Sequence, residues 1–172
     1  MTTMTKPSPI AGVSPTREAV VAIVYPSIAA TGLGKELGKL YDSIPTKIWG
    51  IKVSQLLFAL PTSPVALLLY FYLKALGVRY VLTNHAVQTW AALGNRKVSQ
   101  VALTDIASID IYESSGHQFY EAGDLYLIGK SGEHLAILQG IPYPKIFRQT
   151  IMETRDARQQ VASSLERIKA RG

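Results

Sequence analysis

His117 stands at the only concentration of titratable side chains in this sequence, with Glu113, Glu121 and Asp124 nearby. Acid–base catalysis needs such groups at hydrogen-bond distance in a pocket. The surrounding segment, SSGHQFYEAGD (114–124), contains two glycines and indicates an exposed loop, which would hold side chains poorly. We therefore expect a solvated His117, an Asp124 that braces the turn after Gly123, and no enzymatic activity.

Metal and phosphate chemistry are also disfavoured. The three histidines, His85, His117 and His134, are 32 and 17 residues apart, whereas paired ligands on one element need a separation of about two to four. The chain has no cysteine, which excludes thiolate ligands, disulfides and cysteine nucleophiles. The segment GLGKELGK (32–39) lacks the spacing of a phosphate-binding loop. The sequence therefore predicts no cofactor and no metal site.

The run VSQLLFALPTSPVALLLYFYL between Lys52 and Lys74 holds 21 residues without a charge. Because about 20 apolar residues cross a bilayer as a helix, we expect this run to lie in a membrane. One alternative is a single kinked span, in which Thr62 and Ser63 satisfy carbonyls freed by the prolines; the other is a re-entrant hairpin with arms 48–60 and 65–76. A buried helix of a soluble protein is a third reading. The expected anchor residues are Trp49, Leu56, Leu57, Phe58, Pro61, Pro64, Leu68, Tyr70, Phe71 and Tyr72.

The residues before this run divide into three parts. Residues 1–17 are polar and proline-containing and are expected to form a disordered leader. Residues 19–32 are apolar but too short to span, and they could be a surface segment, a partner of the anchor or a strand. Residues 32–44 alternate apolar and charged positions at helical spacing, which predicts an amphipathic helix at the headgroup level. Together with the apolar run, residues 18–77 form the predicted anchor region.

The net charge of +6 is unevenly distributed, with +4 in residues 1–77, −2 in 78–142 and +4 in 143–172. Nucleic-acid binding would require basic and aromatic residues on the folded part of the chain. Positive segments that flank a membrane anchor instead favour contact with anionic lipid.

Residues 78–142 change to a period of two and predict about six short antiparallel strands. A helix with Pro144 in its first turn follows, and its apolar stripe begins at Phe147 and Ile151, which we expect to plug one end of a barrel. The predicted fold class is α+β: a helical membrane segment, a small antiparallel barrel or sandwich (78–142) and a capping helix with a basic tail (143–172).

The order of four short motifs resembles the bacterial pleckstrin-homology-like family. These are RYVLTN (79–84), VALTDI (101–106), GDLYL (123–127) and LQGIP (138–142), the last followed by a helix. The resemblance implies a seven-stranded barrel closed by a C-terminal helix, placed behind a membrane segment. It does not extend to an inositol-phosphate site, because Arg79 is the only cation near the loop 84–86 and an anion clamp needs several donors.

The sequence thus predicts a non-enzymatic scaffold or adaptor at the inner membrane, with its folded part facing the cytoplasm. Recognition of anionic lipid is the alternative, and an enzyme is less favoured. The expected partners are membrane lipids and an unidentified protein, with no nucleic acid and no small-molecule substrate. The candidate partner or lipid surface consists of His117, Phe119, Tyr120, Arg167, Lys169 and Arg171. For Phe119 and Tyr120, folding back over the barrel is an equal alternative.

Overall fold

The computed structural model of the chain describes residues 18–169. The predicted leader 1–17 and Arg171 lie outside the described residues, as does the side chain of Lys169. The elements are β1 (Val20–Val24), α1 (Gly32–Asp42), β2 (Lys47–Ile48), β3 (Ile51–Lys52), α2 (Val53–Leu76), β4 (Val78–Thr83), β5 (Ala86–Ala91), β6 (Lys97–Ala102), β7 (Ile106–Tyr112), α3 (Ser115–Gln118), β8 (Ala122–Gly129), β9 (His134–Pro142) and α4 (Pro144–Lys169).

The strands form two larger antiparallel sheets. One has the order β1-β4-β5-β6 and the other has the order β7-β8-β9. The strands predicted from period-two patterning are present, with ends shifted by a few residues. The segment 19–32, for which three readings were open, supplies β1, which pairs with β4 between Val24 and Tyr80 and between Val20 and Thr83. Part of the expected anchor region is therefore a strand of the main sheet.

The apolar core lies between the two sheets and under α4. Leu82 from β4 and Leu127 from β8 have no solvent exposure, and Phe147 and Ile151 of α4 pack into the same cluster. The two helical residues expected to close the sheets are thus buried there. Helices and antiparallel sheets with a C-terminal helix confirm an α+β fold, although the sheets are open instead of forming a closed barrel.

Helix α1 begins at a cap supplied by Thr31, whose Oγ1 accepts a hydrogen bond from the Gly34 amide at 3.0 Å. The predicted amphipathic helix is present, but its buried side, which includes Leu37, Gly38 and Tyr41, packs on protein. It lies against α3 and α2. The expected position with that side at the lipid headgroups is therefore wrong.

Helix α2 is one continuous helix across Pro61 and Pro64, so the two-armed re-entrant hairpin is wrong. Each proline lacks the amide that would bond the carbonyl four residues earlier. For Pro64 this is the Leu60 carbonyl, and Ser63 Oγ donates to it at 2.8 Å, as the sequence predicted. Thr62 Oγ1 donates to the Phe58 carbonyl at 2.6 Å. The Ser63 hydroxyl thus replaces the bond lost at Pro64, whereas the Phe58 carbonyl that Thr62 contacts is not one that a proline frees.

Candidate membrane-binding site

A buried carboxylate fixes α1 to the sheets. Asp124 of β8 accepts a hydrogen bond from the Gly140 amide at 2.7 Å through Oδ1, and its Oδ2 lies 3.0 Å from Lys35 Nζ of α1. Asp124 lies within a strand and joins α1 to β8 and β9. The expected role of Asp124 in a tight turn is therefore wrong.

His117 completes this cluster and has no solvent exposure, so the expectation of a solvated loop histidine is wrong. Its Nδ1 accepts a hydrogen bond from the Ser114 amide at 3.0 Å, which leaves the proton of the neutral ring on Nε2. Nε2 lies 3.4 Å from Asp124 Oδ1, without hydrogen-bond geometry. Burial lowers the pKa of His117, and the neighbouring Asp124 only partly opposes this effect. The neutral ring is therefore the form that fits at neutral pH.

Ser114, His117 and Asp124 include the residue types of a hydrolytic triad, but the arrangement is a helix cap. Ser114 Oγ lies 3.0 Å from His117 Nδ1, and the two residues form a reciprocal capping box at the start of α3. A nucleophile and its base must both reach a substrate. Since His117 is fully enclosed by protein, no substrate atom can approach the ring.

The segment 114–124, expected as an exposed loop, folds back onto the protein. Residues 115–118 form α3, and the ring of Phe119 lies 4.7 Å from that of Tyr41 and 4.9 Å from that of Tyr120, between ring centroids. The hydroxyl oxygen of Tyr120 is buried, and burial raises the pKa of this phenol. His117 and Tyr120 are therefore placed for packing of α3 under α1, not for contact with a partner or a lipid.

Helix α1 in turn holds the first half of α2. Ser54 Oγ donates to the Tyr41 carbonyl at 2.5 Å, and Lys52 Nζ lies 2.7 Å from Asp42 Oδ1. The hydroxyls of Tyr41 and Thr62 are 2.5 Å apart. Because the Thr62 proton is donated to the Phe58 carbonyl, Tyr41 is the donor in this pair. A continuous series of polar contacts therefore connects β8, α1 and α2.

One side of α2 is covered by protein and the other is free. The half-buried positions recur every three or four residues and lie on one side of the helix: Gln55, Phe58, Ala59, Thr62, Ala66, Leu69 and Leu73. Exposed apolar side chains lie on the opposite side of the helix. We call six of them the apolar face: Leu56, Leu57, Leu60, Leu67, Leu68 and Phe71. Leu60 has 82% of its surface exposed. Five leucines and a phenylalanine thus lie on one side of the helix.

The apolar face is large for a protein surface in contact with water. Burial of a leucine or phenylalanine side chain is worth roughly 1.5–3 kcal/mol, so removing six half-exposed side chains from water is worth about 5–10 kcal/mol. Contiguous exposed patches of this kind mark sites of interaction with a membrane or a protein. Helix α2 is also long and apolar enough to cross a membrane.

The hairpin β2–β3 presents a further exposed aromatic residue next to α2. Trp49 at its turn is 100% exposed and has a φ of 52°, and Gly50 follows with a φ of 84°. Ile48 and Ile51 on either side of the turn are about half exposed. Lys47 and Lys52 occupy the paired positions at the base of the hairpin. Tryptophan and lysine are the residues that favour the interface between hydrocarbon and water.

The remaining predicted anchor residues, Tyr70 and Tyr72, are half exposed near the end of α2, and Lys74 Nζ lies 3.3 Å from the Tyr70 hydroxyl. Arg167 is exposed on α4.

Within residues 18–169, no group of three His, Asp or Glu side chains is placed to hold a metal ion. A surface cavity of about 430 Å³ lies beside Glu113, Glu121 and Lys145, and His117 does not line it.

The contact that sequence reasoning missed is the one between Lys35 and Asp124. These residues are 89 positions apart, and no local pattern connects a lysine in an amphipathic helix with an aspartate beside a glycine.

Comparison with protein-family models, curated proteins and solved structures gave no match to this chain.

Proposed function

We propose that the protein is a non-enzymatic, membrane-associated module that holds its two sheets at the surface of the inner membrane and recruits a protein partner there. The observation that carries this proposal is the apolar face of α2, which no residue of the described chain covers. Attachment to one surface raises the effective concentration of a partner even when the direct affinity is weak.

Two antiparallel sheets and a C-terminal helix packed over their core support the resemblance to the bacterial pleckstrin-homology-like family. In that family the folded part lies behind a membrane segment, and the cytoplasmic face of the inner membrane is the location we propose.

The edge of the first sheet supports a protein partner. In β6, the first four residues, 97–100, are exposed on both faces of the strand, and β6 has a neighbour on one side only. An exposed edge strand can pair with an extended peptide from another protein. The segment 114–124 is packed against α1, so β6 replaces it as the partner surface in this proposal.

Recognition of anionic lipid is a second candidate, and the start of α4 favours it. Lys145 and Arg148 are exposed there beside the exposed side chains of Tyr143 and Ile146. Two cations next to apolar side chains suit a headgroup region. Lys145→Glu combined with Arg148→Glu should weaken binding to vesicles that contain phosphatidylglycerol if this surface acts on lipid.

Membrane association is tested with Leu60→Glu combined with Leu68→Glu. A charge in hydrocarbon costs about 2.5–3.5 kcal/mol at the centre of a bilayer, so two carboxylates on the apolar face should move the chain from the membrane pellet to the supernatant. The matched control is Leu93→Glu combined with Ile137→Glu, which adds the same charges at exposed apolar positions outside α2 and β6. A wild-type chain that remains in the supernatant of lysed cells would contradict the proposal.

Recruitment of a protein is tested by placing a photo-crosslinking amino acid at Val98 on β6. Illumination of intact cells should give a discrete adduct at this position. Lys130, which is exposed in the turn between β8 and β9, is the control position and should give none. If Val98 gives no adduct while the chain is membrane-bound, the partner does not bind at β6.

A further inference from the structure

Strand β1, which precedes α2 in the chain, and strand β4, which follows it, belong to one sheet. Strand β1 pairs with β4, and β4 begins two residues after α2 ends. Paired strands lie about 4.8 Å apart, so these two parts of the chain cannot be on opposite sides of a bilayer.

The start of α2 is attached to the same folded body as its end. Lys52 and Ser54 bond to the last turn of α1, and α1 is fixed to β8 through Lys35 and Asp124. The other end continues through Gly77 directly into β4. Both ends of a helix about 36 Å long therefore contact one body.

The body also lies alongside the helix between its ends. The half-buried side of α2 extends from Ser54 to Leu73, and its last turns approach Tyr25 and Pro26, which follow β1. A perpendicular helix would take α1 into the bilayer with it. Glu36 and Lys39 form an exposed ion pair on α1, and placing these charges in hydrocarbon is unfavourable.

We propose that α2 lies in the plane of the membrane and does not cross it. The apolar face, together with the Trp49 hairpin, enters one leaflet, and the folded body remains on that side. This inference rests on the proposed membrane association and specifies its geometry. The single kinked span expected from the sequence is replaced by a helix that is covered by protein on one side and by acyl chains on the other.

The occupant of the apolar face is a lipid leaflet because of what the face contains. It is one side of a single helix, its six side chains are aliphatic or aromatic, and it extends over more than four turns. Lysines stand near both of its ends, Lys47 and Lys52 before the helix and Lys74 in its last turn. Ammonium groups at the ends of an apolar face complement anionic headgroups.

Single cysteines test the topology, since the natural chain has none. Lys47→Cys lies before α2 and Arg96→Cys lies after it, and both positions are exposed. In sealed membrane vesicles of one orientation, a membrane-impermeant maleimide should label both variants or neither. Labelling of one variant in inside-out vesicles and of the other in right-side-out vesicles would overturn the in-plane geometry while leaving membrane association intact.

Nitroxide labels on the apolar face supply a second measurement. The full chain is labelled at Leu57→Cys, Leu60→Cys, Leu68→Cys or Phe71→Cys and bound to vesicles of phosphatidylethanolamine with phosphatidylglycerol. Depth from oxygen and nickel accessibility should agree within a few ångströms at all four positions. Oxygen and nickel accessibility report depth from the nearer membrane surface. In a spanning helix, Leu68 near the middle of α2 would therefore lie roughly 6 Å deeper than Leu57 near its start, at 1.5 Å per residue.

The outcomes separate this inference from the proposed function. Failure of the wild-type chain to bind the vesicles contradicts membrane association itself. Unequal depths overturn only the in-plane helix. A soluble dimer in which the four labels contact each other instead of lipid overturns membrane association as well. Equal depths with labelling from one side establish it.

Discussion

Asp124 connects elements that are far apart in the sequence. Its carboxylate contacts Lys35 of α1 and the Gly140 amide of β9, and it lies close to the His117 ring of α3. Only 5% of the Asp124 side chain is exposed, so the ion pair with Lys35 is screened less than a surface pair. Removal of one partner from such a pair leaves the other uncompensated.

Asp124→Asn should therefore destabilise the fold by about 2–4 kcal/mol, because Lys35 loses its counter-charge in a partly buried position. Denaturant unfolding of the detergent-solubilised chain measures this effect. Glu36→Gln is the matched control, since it removes the exposed pair with Lys39 and should cost less than about 1 kcal/mol. Equal effects of the two substitutions would contradict the structural role of Asp124.

His117 gives the stability a defined pH dependence. Burial lowers its pKa below the ordinary value of about 6.5, so the unfolded chain binds a proton more readily than the folded chain. Stability should fall as the pH decreases below about 6.5 toward the lowered pKa, by at most about 1.4 kcal/mol per pH unit. Unfolding midpoints measured between pH 7.5 and about 5 test this.

His117→Gln should remove that part of the pH dependence, at some cost in stability. His134→Gln is the control, because His134 is exposed on β9 and its replacement should keep the wild-type profile. A wild-type profile in His117→Gln would show that another group is responsible.

The sequence indicated the chemical types in this cluster but not their burial. A histidine between serine, glycine and carboxylates has the composition of a loop. What encloses the ring is α1, which lies some 80 residues earlier in the chain and packs on α3. Because this burial depends on residues far away in the sequence, no periodic pattern of apolar residues around His117 predicts it.

At the scale of elements, α1 approaches α3 more closely than side chains would allow. A methyl group added at Gly38 would lie 2.2 Å from the Gly116 carbonyl oxygen, and one added at Gly116 would lie 2.5 Å from the Lys35 carbonyl oxygen. Both obstacles are backbone atoms, which cannot move aside without displacing a helix. The absence of side chains at these two positions thus sets the distance between α1 and α3.

Gly38→Ala should destabilise the protein by about 1–3 kcal/mol through overpacking, although alanine favours a helix by up to about 1 kcal/mol over glycine. Gly32→Ala provides the control in the same helix, because no atom lies within 4 Å of the added methyl group. The comparison uses denaturant unfolding of the two variants. Stabilisation by Gly38→Ala would show that α1 is not in close contact with α3.

The elements themselves could largely be predicted from the sequence. Period-two runs between residues 78 and 142 predicted the strands, and the apolar run between Lys52 and Lys74 predicted α2. The sequence did not distinguish a strand at β1 from a surface segment or a partner of the anchor, because VVAIV is apolar throughout and its partner β4 lies beyond α2. The sequence also left open whether α2 continues across its two prolines, and in the structure the Ser63 hydroxyl bonds the carbonyl that Pro64 leaves without an amide.

For the whole molecule, apolar burial should dominate the attachment. Hydrophobic contact is not screened by ions, whereas contacts between lysines and headgroups weaken at high ionic strength. The full chain should therefore remain in the membrane pellet after a wash in about 1 M sodium chloride and leave it in mild detergent. Extraction by salt alone would indicate that the lysines, and not the apolar face, carry the attachment.

The placement of α2 between two paired strands also orders events during synthesis. Residues 25–77 must be made after β1 before β4 can pair with it, which takes several seconds at roughly 5–20 residues per second. Throughout that interval the nascent apolar helix has no sheet to pack on. We expect capture by the bilayer or by a chaperone to come first, so that the sheet closes on a helix whose location is already decided.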